Sequence, residues 1–220
     1  MSNEIQQHGS LADAVYDRLE NDILCGVYPP GELLSELHLC RLLDVSRTPV
    51  REALKRLAQE GLMEETSRGM TVVGITEKDI EDIYEIRARI EGLATRLCVG
   101  TMTDRNLSEL RDIVELQAFY TERATPEQIR DTDSAFHSLI YRYCGNRTLT
   151  HLLTTLHHRV QRYRQLSVVS PERAKSAVAE HRGIYEALVA RDAERAEALA
   201  VAHVRNAQKS ILHLKNPRRS

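Results

Sequence analysis

Apolar residues near the start of the chain recur at the spacing of one face of a helix. The positions are Leu11, Val15, Leu19 and Ile23. Ser10 lies directly before this run and Asp13 follows three residues later, which is the pattern of a helix N-cap pair. The run ends near Cys25-Gly26, and the following Tyr28-Pro29-Pro30-Gly31 segment cannot continue a helix because proline lacks a backbone N–H donor. We predict one helix followed by a tight turn.

Two shorter helices and a hairpin are predicted next. Ser35 is the expected N-cap of a second helix, Asp44-Val45 form a bend, and Ser46 caps a third helix. The apolar face of the third helix consists of Val50, Leu54 and Leu57, and we expect it to pack against the core. After Gly61, residues 62–65 and 70–73 have the length of two strands joined by a turn at 66–69. This order predicts a winged helix-turn-helix over residues 10–74.

From residue 76 onward the apolar pattern is helical throughout. Cap residues divide it into predicted helices at about 77–99, 104–122, 126–144, 147–168, 171–190 and 193–213. Two starts are especially clear, because Thr125 and Ser170 each precede a proline at the first helical position. We therefore predict an all-helical bundle over residues 76–214 and a chain that is mostly α.

Composition favours a cytoplasmic protein with two cores. No run of the 220 residues approaches the roughly 18 consecutive apolar positions of a membrane-spanning helix, and Met1 to Ser10 do not resemble a signal peptide. The cysteines lack C-x-x-C spacing, which argues against a thiolate zinc site and a disulfide framework. We expect all four to be reduced and mostly buried: Cys25, Cys40, Cys98 and Cys144.

The charge distribution excludes a broadly basic DNA-binding domain. Net charge is −2, and residues up to Ile75 hold 7 Lys and Arg against 12 Asp and Glu, a balance of −5. Residues 47–56 nevertheless carry four basic residues and one acidic residue, a local balance of +3. Attraction to DNA phosphates must come from such a local cluster, so non-specific affinity should be weak and salt-dependent.

The amino end of the third helix carries residue types that read DNA. Arg47 and Arg51 lie four residues apart on one face, where they can place guanidinium groups against guanine edges in a major groove. Free backbone N–H groups at this end also favour phosphate. Solvated arginines on an ordinary surface helix are the alternative. The candidate DNA contacts, including the tip of the wing, are Ser46, Arg47, Thr48, Arg51, Lys55, Arg68 and Gly69.

The N-terminal domain resembles the GntR family of bacterial regulators. The resemblance lies in four segments, namely residues 28–36, residues 45–57, Glu60-Gly61-Leu62 and Arg68-Gly69. It implies a homodimer that binds double-stranded operator DNA at an inverted repeat. The chain departs from many relatives at Leu37, where they carry an arginine that contacts DNA, and at His38, where an acidic residue is frequent. Operator preference therefore cannot be carried over.

The helical domain holds a candidate metal site. Asp133 and His137 lie four residues apart on one helix face, and His181 and His203 lie on the last two predicted helices. Three imidazoles with one carboxylate suit Zn, Ni, Mn or Fe as divalent ions. On spacing alone, histidines that face a helical core are more often hydrogen-bonded structural residues than metal ligands. A second histidine cluster is also present, formed by His151, His157 and His158.

Residues from about Ile75 to Leu214 resemble the FCD ligand-binding domain of FadR-type GntR regulators. The resemblance is carried by Ile86-Arg87 with Ile90-Glu91, Asp133 with Phe136-His137, Gly145-Asn146, Ala179-Glu180-His181 with Ile184, and His203. Metal-containing members use one Asp and three His, which implies a site formed by Asp133, His137, His181 and His203. Their effectors are small organic or sugar acids.

The resemblance also implies that Arg87 neutralises an effector carboxylate, although a pair with Glu91 at i+4 would occupy it. Further pocket candidates are Arg159, Arg162 and Asn206, for which an interhelical ion pair or a solvated face is the alternative.

The leading hypothesis is a DNA-binding transcription repressor controlled by a small carboxylate bound at or near a metal. Two rivals remain at this point. One is the same regulator with a metal-free pocket for a bulkier ligand. The other is a metallohydrolase that uses the Asp and His set, although the sequence contains neither an H-E-x-x-H motif nor a His-Asp dipeptide.

Overall fold

The computed structural model describes residues 10–74, 76–164 and 170–215, with side chains except at 158–159, 161–164 and 214–215. The chain divides into two compact units at Thr76 and Glu77. In the described ranges the first unit is a three-helix domain with a small sheet, and the second contains only helices.

The N-terminal unit is the predicted winged helix-turn-helix. Its elements are α1 (Leu11–Leu24), β1 (Leu33–Leu34), α2 (Glu36–Leu43), α3 (Arg47–Gln59), β2 (Met63–Thr66) and β3 (Gly69–Val72). The antiparallel sheet has the order β1-β3-β2. The expected four-residue turn is a two-residue turn at Ser67-Arg68, and β1 was not predicted because two residues show no periodicity. The wing therefore has a third strand that holds it to the residues before α2.

The caps and core of this unit mostly follow the predictions. Ser10 and Ser35 accept hydrogen bonds from the backbone N–H groups of Asp13 and His38. Ser46 occupies the N-cap position of α3, but its side chain makes no capping bond, contrary to expectation. Leu11 is 42% exposed, so the apolar face of α1 enters the core only one turn later. The buried members of the predicted faces are Val15, Leu19, Ile23, Val50, Leu54 and Leu57.

The C-terminal unit is a helical bundle, as predicted. Its helices are α4 (Glu77–Thr101), α5 (Asp104–Glu122), α6 (Pro126–Tyr143), α7 (Arg147–Arg164), α8 (Pro171–Val189) and α9 (Ala193–Lys215). Ser170 caps α8 by accepting from the backbone N–H of Arg173, whereas the Thr125 hydroxyl donates to the Tyr120 carbonyl instead of capping α6. The core is formed by apolar side chains from all six helices.

Helix α4 runs against α9 with a very short approach at Gly92. A Cβ atom built at Gly92 would lie 2.7 Å from Cγ2 of Val201 and 3.4 Å from Cγ of Glu197. Gly100, in the last turn of the same helix, has nothing within 4 Å of such an atom. Glycine at position 92 therefore sets the distance between α4 and α9, which carries part of the site described below.

We expect Gly92→Ala to destabilise the bundle by about 1–3 kcal/mol relative to Gly100→Ala, because the added methyl overpacks the helix contact. Both substitutions gain the helix propensity of alanine, so comparing them isolates the contact with Val201. Urea unfolding of the two variants measures the difference. Equal midpoints and slopes for the two variants would contradict a tight contact at Gly92.

Two expectations from composition have different outcomes. Cys98 and Cys144 are buried and Cys40 is partly buried, but Cys25 is exposed because it lies at the end of α1. Burial raises the pKa of the Cys98 thiol to about 12. None of the helices in the described part of the chain is both long enough and apolar enough to span a membrane.

Candidate nucleic-acid interface and candidate metal centre

The predicted DNA-reading side chains at the start of α3 lie at the surface. Those exposed to solvent are Ser46, Arg47, Thr48, Arg51 and Lys55. Arg51 is held by Glu36 of α2, whose two carboxylate oxygens accept from Nε and Nη2 at 3.0 Å each. This pair lowers the pKa of Glu36, with a smaller contribution from Arg47. In the described part of the chain Arg47 has no hydrogen-bond or ion-pair partner, so it is the more available of the two arginines.

The fourth basic residue of the local cluster does not belong to this surface. Nη1 of Arg56 donates to Asp13 at 2.6 Å, and its guanidinium lies over the Tyr16 ring at 4.0 Å from the centroid. Arg56 therefore ties α3 to α1. The exposed positive charge at the start of α3 is therefore smaller than the local balance of +3 counted from the sequence. That count includes Arg56, which faces α1 instead of the DNA-reading side.

The tip of the wing is arranged for close approach. Arg68 is exposed in the turn, and Gly69 adopts a φ of +125°, which L side chains rarely adopt. The Thr66 hydroxyl accepts from the Arg68 backbone N–H and donates to the Gly69 carbonyl. The Thr66 side chain thus fixes the backbone of the turn, and Arg68 stays at the surface.

Three predicted metal ligands converge inside the bundle. His137 of α6, His181 of α8 and His203 of α9 are 3%, 0% and 1% exposed. Nε2 of His203 lies 3.4 Å from Nε2 of His181 and 3.3 Å from Nε2 of His137. Ligand atoms from the three residues all lie within 4.8 Å of one another. The tertiary structure therefore brings together imidazoles that are up to 66 residues apart in sequence.

Asp133, the fourth predicted ligand, lies at the edge of this cluster. It is 9% exposed and one turn before His137 on α6. Its Oδ1 lies 4.0 Å from Nε2 of His181. The carboxylate is therefore near the imidazole nitrogens without joining the compact group of three.

Each imidazole is oriented by an oxygen on its outer nitrogen. The three Nδ1 contacts are His181 to Oε1 of Gln117 at 2.7 Å, His203 to Oε2 of Glu180 at 2.6 Å, and His137 to Oε2 of Glu91 at 3.1 Å. Because carboxylate and amide oxygens accept hydrogen bonds, we assign the proton of each neutral ring to Nδ1. The Nε2 lone pairs then face one another across the centre. This is the arrangement in which outer partners prepare histidines to bind a metal.

The two carboxylates in this outer layer remain ionised. Burial opposes charge on Glu91, but Arg87 and His137 hold the pKa of that carboxyl well below its usual range. At Glu180 burial has the same opposing effect, while hydrogen bonds from His203, Arg173 and Asn206 lower its pKa to about 2. Burial lowers the pKa of His203, which favours the neutral ring that metal binding needs.

Arg87 is buried beside the histidines and forms the ion pair that its spacing from Glu91 allowed. It is 1% exposed, and its Nε donates to Oε1 of Glu91. Its guanidinium lies over the Tyr84 ring, 4.8 Å from the centroid. Its Nη1 has no hydrogen-bond partner among the described residues. Arg87 thus forms an ion pair with Glu91 and keeps one N–H donor group, at Nη1, without a partner among the described residues.

The second histidine cluster does not form as a unit. His157 is 4% exposed and its ring centroid lies 5.4 Å from that of His137, whereas His151 is exposed and the side chain of His158 lies outside the described residues. Burial lowers the pKa of His157 to about 3. Its Nδ1 lies 3.5 Å from the Tyr141 hydroxyl. His157 is therefore a buried neighbour of the candidate metal centre.

The remaining predicted pocket residues are less central. The side chains of Arg159 and Arg162 lie outside the described residues, and their role stays a prediction. Asn206 is exposed, and its amide nitrogen donates to Oε1 of Glu180 at 2.9 Å. It therefore supports the partner of His203.

Sequence reasoning missed part of the outer layer. Gln117 lies on α5 with no motif around it, and nothing in the sequence pairs it with His181. Glu180 immediately precedes His181, yet it contacts His203 on α9. A buried polar residue at a core position of α5 was the one available signal, since Gln117 occupies a site that apolar residues fill elsewhere on that helix.

Two family models account for most of the chain. The model described as "Bacterial regulatory proteins, gntR family" matches residues 11–73, and the model described as "FCD domain" matches residues 82–206. These ranges correspond to the helix-turn-helix and to the helical bundle with its histidine cluster. The two halves of the sequence resemblance are therefore confirmed.

The chain is similar over most of its length to proteins named as transcription regulators and to solved structures. The chain is 31% identical to the HTH-type transcriptional regulator YdhC of Bacillus subtilis, over 90% of each chain. It is 26% identical to the HTH-type transcriptional repressor RspR of Escherichia coli, over 91% of this chain and 89% of RspR. The solved structure of E. coli McbR/YncC matches 95% of this chain and all of its own with a TM-score of 0.70 at 24% identity, which supports the fold.

These relatives are transcription regulators, and the metallohydrolase alternative is wrong. DNA binding by the N-terminal unit follows from the family of its domain. The chain belongs to the GntR family of bacterial DNA-binding transcription regulators, and its FCD domain places it in the FadR-type subfamily.

Proposed function

We propose that the protein is a homodimeric repressor whose operator affinity is controlled by a small carboxylate bound at a divalent metal in the C-terminal unit. The observation that carries this proposal is the convergence of three Nε2 atoms whose rings are each held through Nδ1. Repression is supported by the likeness to a relative named as a repressor.

A metal ion fits the cluster better than a purely structural role. Nε2 of His203 lies 3.4 Å from Nε2 of His181 and 3.3 Å from Nε2 of His137, and lone pairs that face each other at these distances repel. The Nδ1 atom of each ring already has an oxygen partner. A cation at the centre would turn this repulsion into coordination, and the buried position would exclude competing water. Histidines kept for packing alone have no need of three converging acceptor atoms.

The ligand set would be His137, His181 and His203 with Asp133. Imidazole and carboxylate together suit Zn, Ni, Mn or Fe as divalent ions. When bound, such an ion supplies a Lewis-acid site for an effector carboxylate. Glu91, Glu180 and Gln117 would keep the rings in the tautomer that binds metal, and Arg87 would supply positive charge beside the effector.

The DNA-binding half of the proposal rests on α3 and the wing. A dimer would place two copies of Arg47 on an inverted repeat, with half-sites separated by about one helical turn of roughly 34 Å or a multiple of it. An effector that weakens DNA binding must itself be weakened by DNA, because the coupling between two sites is reciprocal. Titrating effector with and without operator duplex gives this coupling once. Titrating operator duplex with and without effector must give the same value.

Metal content tests the proposal most directly. We expect protein purified without chelator or a nickel column to contain about one transition-metal equivalent per chain, and His203→Ala to lose it. His151→Ala is the matched control, because His151 is exposed on α7. At metal concentrations about 1,000-fold above Kd, removal costs roughly 4 kcal/mol, which lowers the Tm of the bundle by about 8–16 °C.

Two results would contradict the proposed metal centre. A native protein that contains no metal, and that binds none of the four candidate ions in calorimetry, would overturn the metal centre. Equal metal content in His203→Ala and His151→Ala would show that the ion is bound elsewhere.

A further inference from the structure

Glu36 is an acidic side chain beside the arginines of the DNA-reading surface. It occupies the first position of α2, directly after the N-cap residue Ser35. Its two carboxylate oxygens accept hydrogen bonds from Arg51 of α3, fifteen residues further along the chain. A carboxylate at this place reduces the attraction of the surface for phosphates, so its presence needs a physical reason.

Both partners stand on helices that are anchored in the same core. Leu39 of α2 is 0% exposed, and Val50 and Leu54 on either side of Arg51 in α3 are 0% and 2% exposed. The backbones that carry Glu36 and Arg51 are therefore held by packing. The two hydrogen bonds between the side chains then determine where the guanidinium lies.

The hydrogen bonds to Glu36 use one edge of the Arg51 guanidinium. That edge consists of Nε and one N–H of Nη2, and each nitrogen lies 3.0 Å from a carboxylate oxygen. A guanidinium has a second edge with two N–H groups, formed by Nη1 and the other N–H of Nη2. Nη1 has no hydrogen-bond partner among the described residues, and the Arg51 side chain is 69% exposed. The second edge is therefore available to a ligand.

An available guanidinium edge matches the major-groove side of guanine. O6 and N7 of guanine accept two N–H groups from one arginine, which is the commonest specific contact between a side chain and a base. The carboxylate on the other edge balances the charge of Arg51, so the pair as a whole attracts phosphates little. Arg51 in this pair is suited to reading a base rather than to holding the DNA backbone.

Orientation before binding also lowers the cost of recognition. Arginine has a long, flexible side chain, and fixing such a side chain at an interface reduces affinity. Glu36 already restricts Arg51 in the free protein, so less freedom is lost when DNA binds. The pair contributes little to folding, because the two side chains are 69% and 34% exposed and water screens their attraction.

We propose that Glu36 is a positioning residue for DNA recognition, which holds one edge of Arg51 so that the other edge reads a guanine. Arg51 was a candidate contact from the sequence, whereas Glu36 was not, because an acidic residue is not expected beside phosphates. The inference rests on DNA binding by the N-terminal unit. It is independent of the metal and the effector proposed for the C-terminal unit.

Base preference of the full-length protein tests the inference. The wild-type protein selects a duplex from a random library, and each base pair of one half-site is then changed to the other three. We expect one G·C pair whose preference, about tenfold or more, is lost in Arg51→Ala. At that pair Glu36→Gln should lower the preference by about threefold to tenfold, because an amide has one acceptor oxygen and orients Arg51 less well.

Glu52→Gln is the matched control for charge. Glu52 is exposed beside Arg51 on α3, and it has no hydrogen-bond or ion-pair partner in the described ranges. Glu36→Gln and Glu52→Gln each remove one negative charge, so both should raise the affinity for a random duplex by a similar factor. Glu52→Gln should leave the preference at the Arg51-dependent base pair unchanged.

Combined variants show whether Glu36 acts through Arg51. In Arg51→Ala, the addition of Glu36→Gln should lower the preference no further, because the group to be oriented is absent. Arg51→Lys should also lose the preference, since an ammonium group cannot present one edge to a carboxylate and another to a base. A residue that only supports the fold would weaken binding to every duplex by the same factor, with or without Arg51.

Three results would overturn the inference. An Arg51→Ala variant that keeps every base preference would show that Arg51 does not read a base. An unchanged preference in Glu36→Gln would show that the ion pair does not orient Arg51. A stronger preference in Glu36→Gln than in Glu52→Gln would show that Glu36 holds Arg51 away from DNA.

Discussion

Glu91→Gln is expected to destabilise the C-terminal unit by about 3–5 kcal/mol, because it removes the charge that compensates buried Arg87. Glu91 is 3% exposed and accepts from Arg87 and His137. The neutral amide cannot accept both bonds with the same strength. Urea unfolding in chelator, followed by hydrogen exchange of the α4 amides, isolates the effect from metal binding and from the N-terminal unit.

Glu85→Gln is the matched control on the same helix. Glu85 also pairs with two arginines, Arg89 and Arg205, but it is half exposed and its pairs are screened by water. Its loss should leave the unfolding midpoint close to wild type. Similar destabilisation by the two substitutions would contradict the special role of the buried pair, whereas a double Arg87→Met, Glu91→Leu variant should recover much of the stability.

Arg47→Ala is expected to weaken specific operator binding by about tenfold to a hundredfold per half-site, since it removes one bidentate contact with a base. Two half-sites in a dimer would multiply the loss. Arg47 is exposed and has no side-chain partner in the described ranges, so its removal should leave folding unchanged. Fluorescence anisotropy on a duplex selected from a random library, at fixed salt, measures the change.

Arg111→Ala serves as the control for charge alone. Arg111 is an exposed arginine of α5, paired with its neighbour Asp112. This variant has the same change in net charge and should bind operator like wild type. If both variants lost the same affinity, or if Arg47→Ala kept wild-type affinity and footprint, the assignment of Arg47 to base reading would be wrong.

The sequence by itself determined the elements and their types. Helix period, caps and prolines predicted the long helices to within a few residues wherever the structure describes their ends, because these signals act within one or two turns of the chain. The predicted end of α7 at residue 168 lies outside the described residues. The same local signals missed β1, whose pairing with β3 joins residues 33 and 71. They also could not show that Arg56 turns away from the DNA-reading side towards α1.

For the candidate site, sequence and resemblance supplied the residue types, and the tertiary structure decided the geometry. A histidine on α6 and another on α9 have no local reason to meet. They do so because α4, α6, α8 and α9 pack around one interior, with α4 and α9 in close contact at Gly92.

The outer layer depends even more on packing. Gln117, Glu91 and Glu180 reach the three imidazoles from α5, α4 and α8, and no spacing rule connects them. Nε2 of His157 likewise has no partner among the described residues, while Nδ1 of the same ring lies 3.5 Å from the hydroxyl of Tyr141 on another helix. Which atoms have partners depends on contacts between residues distant in sequence, so the donor and acceptor pattern that an effector meets became visible only in the folded chain.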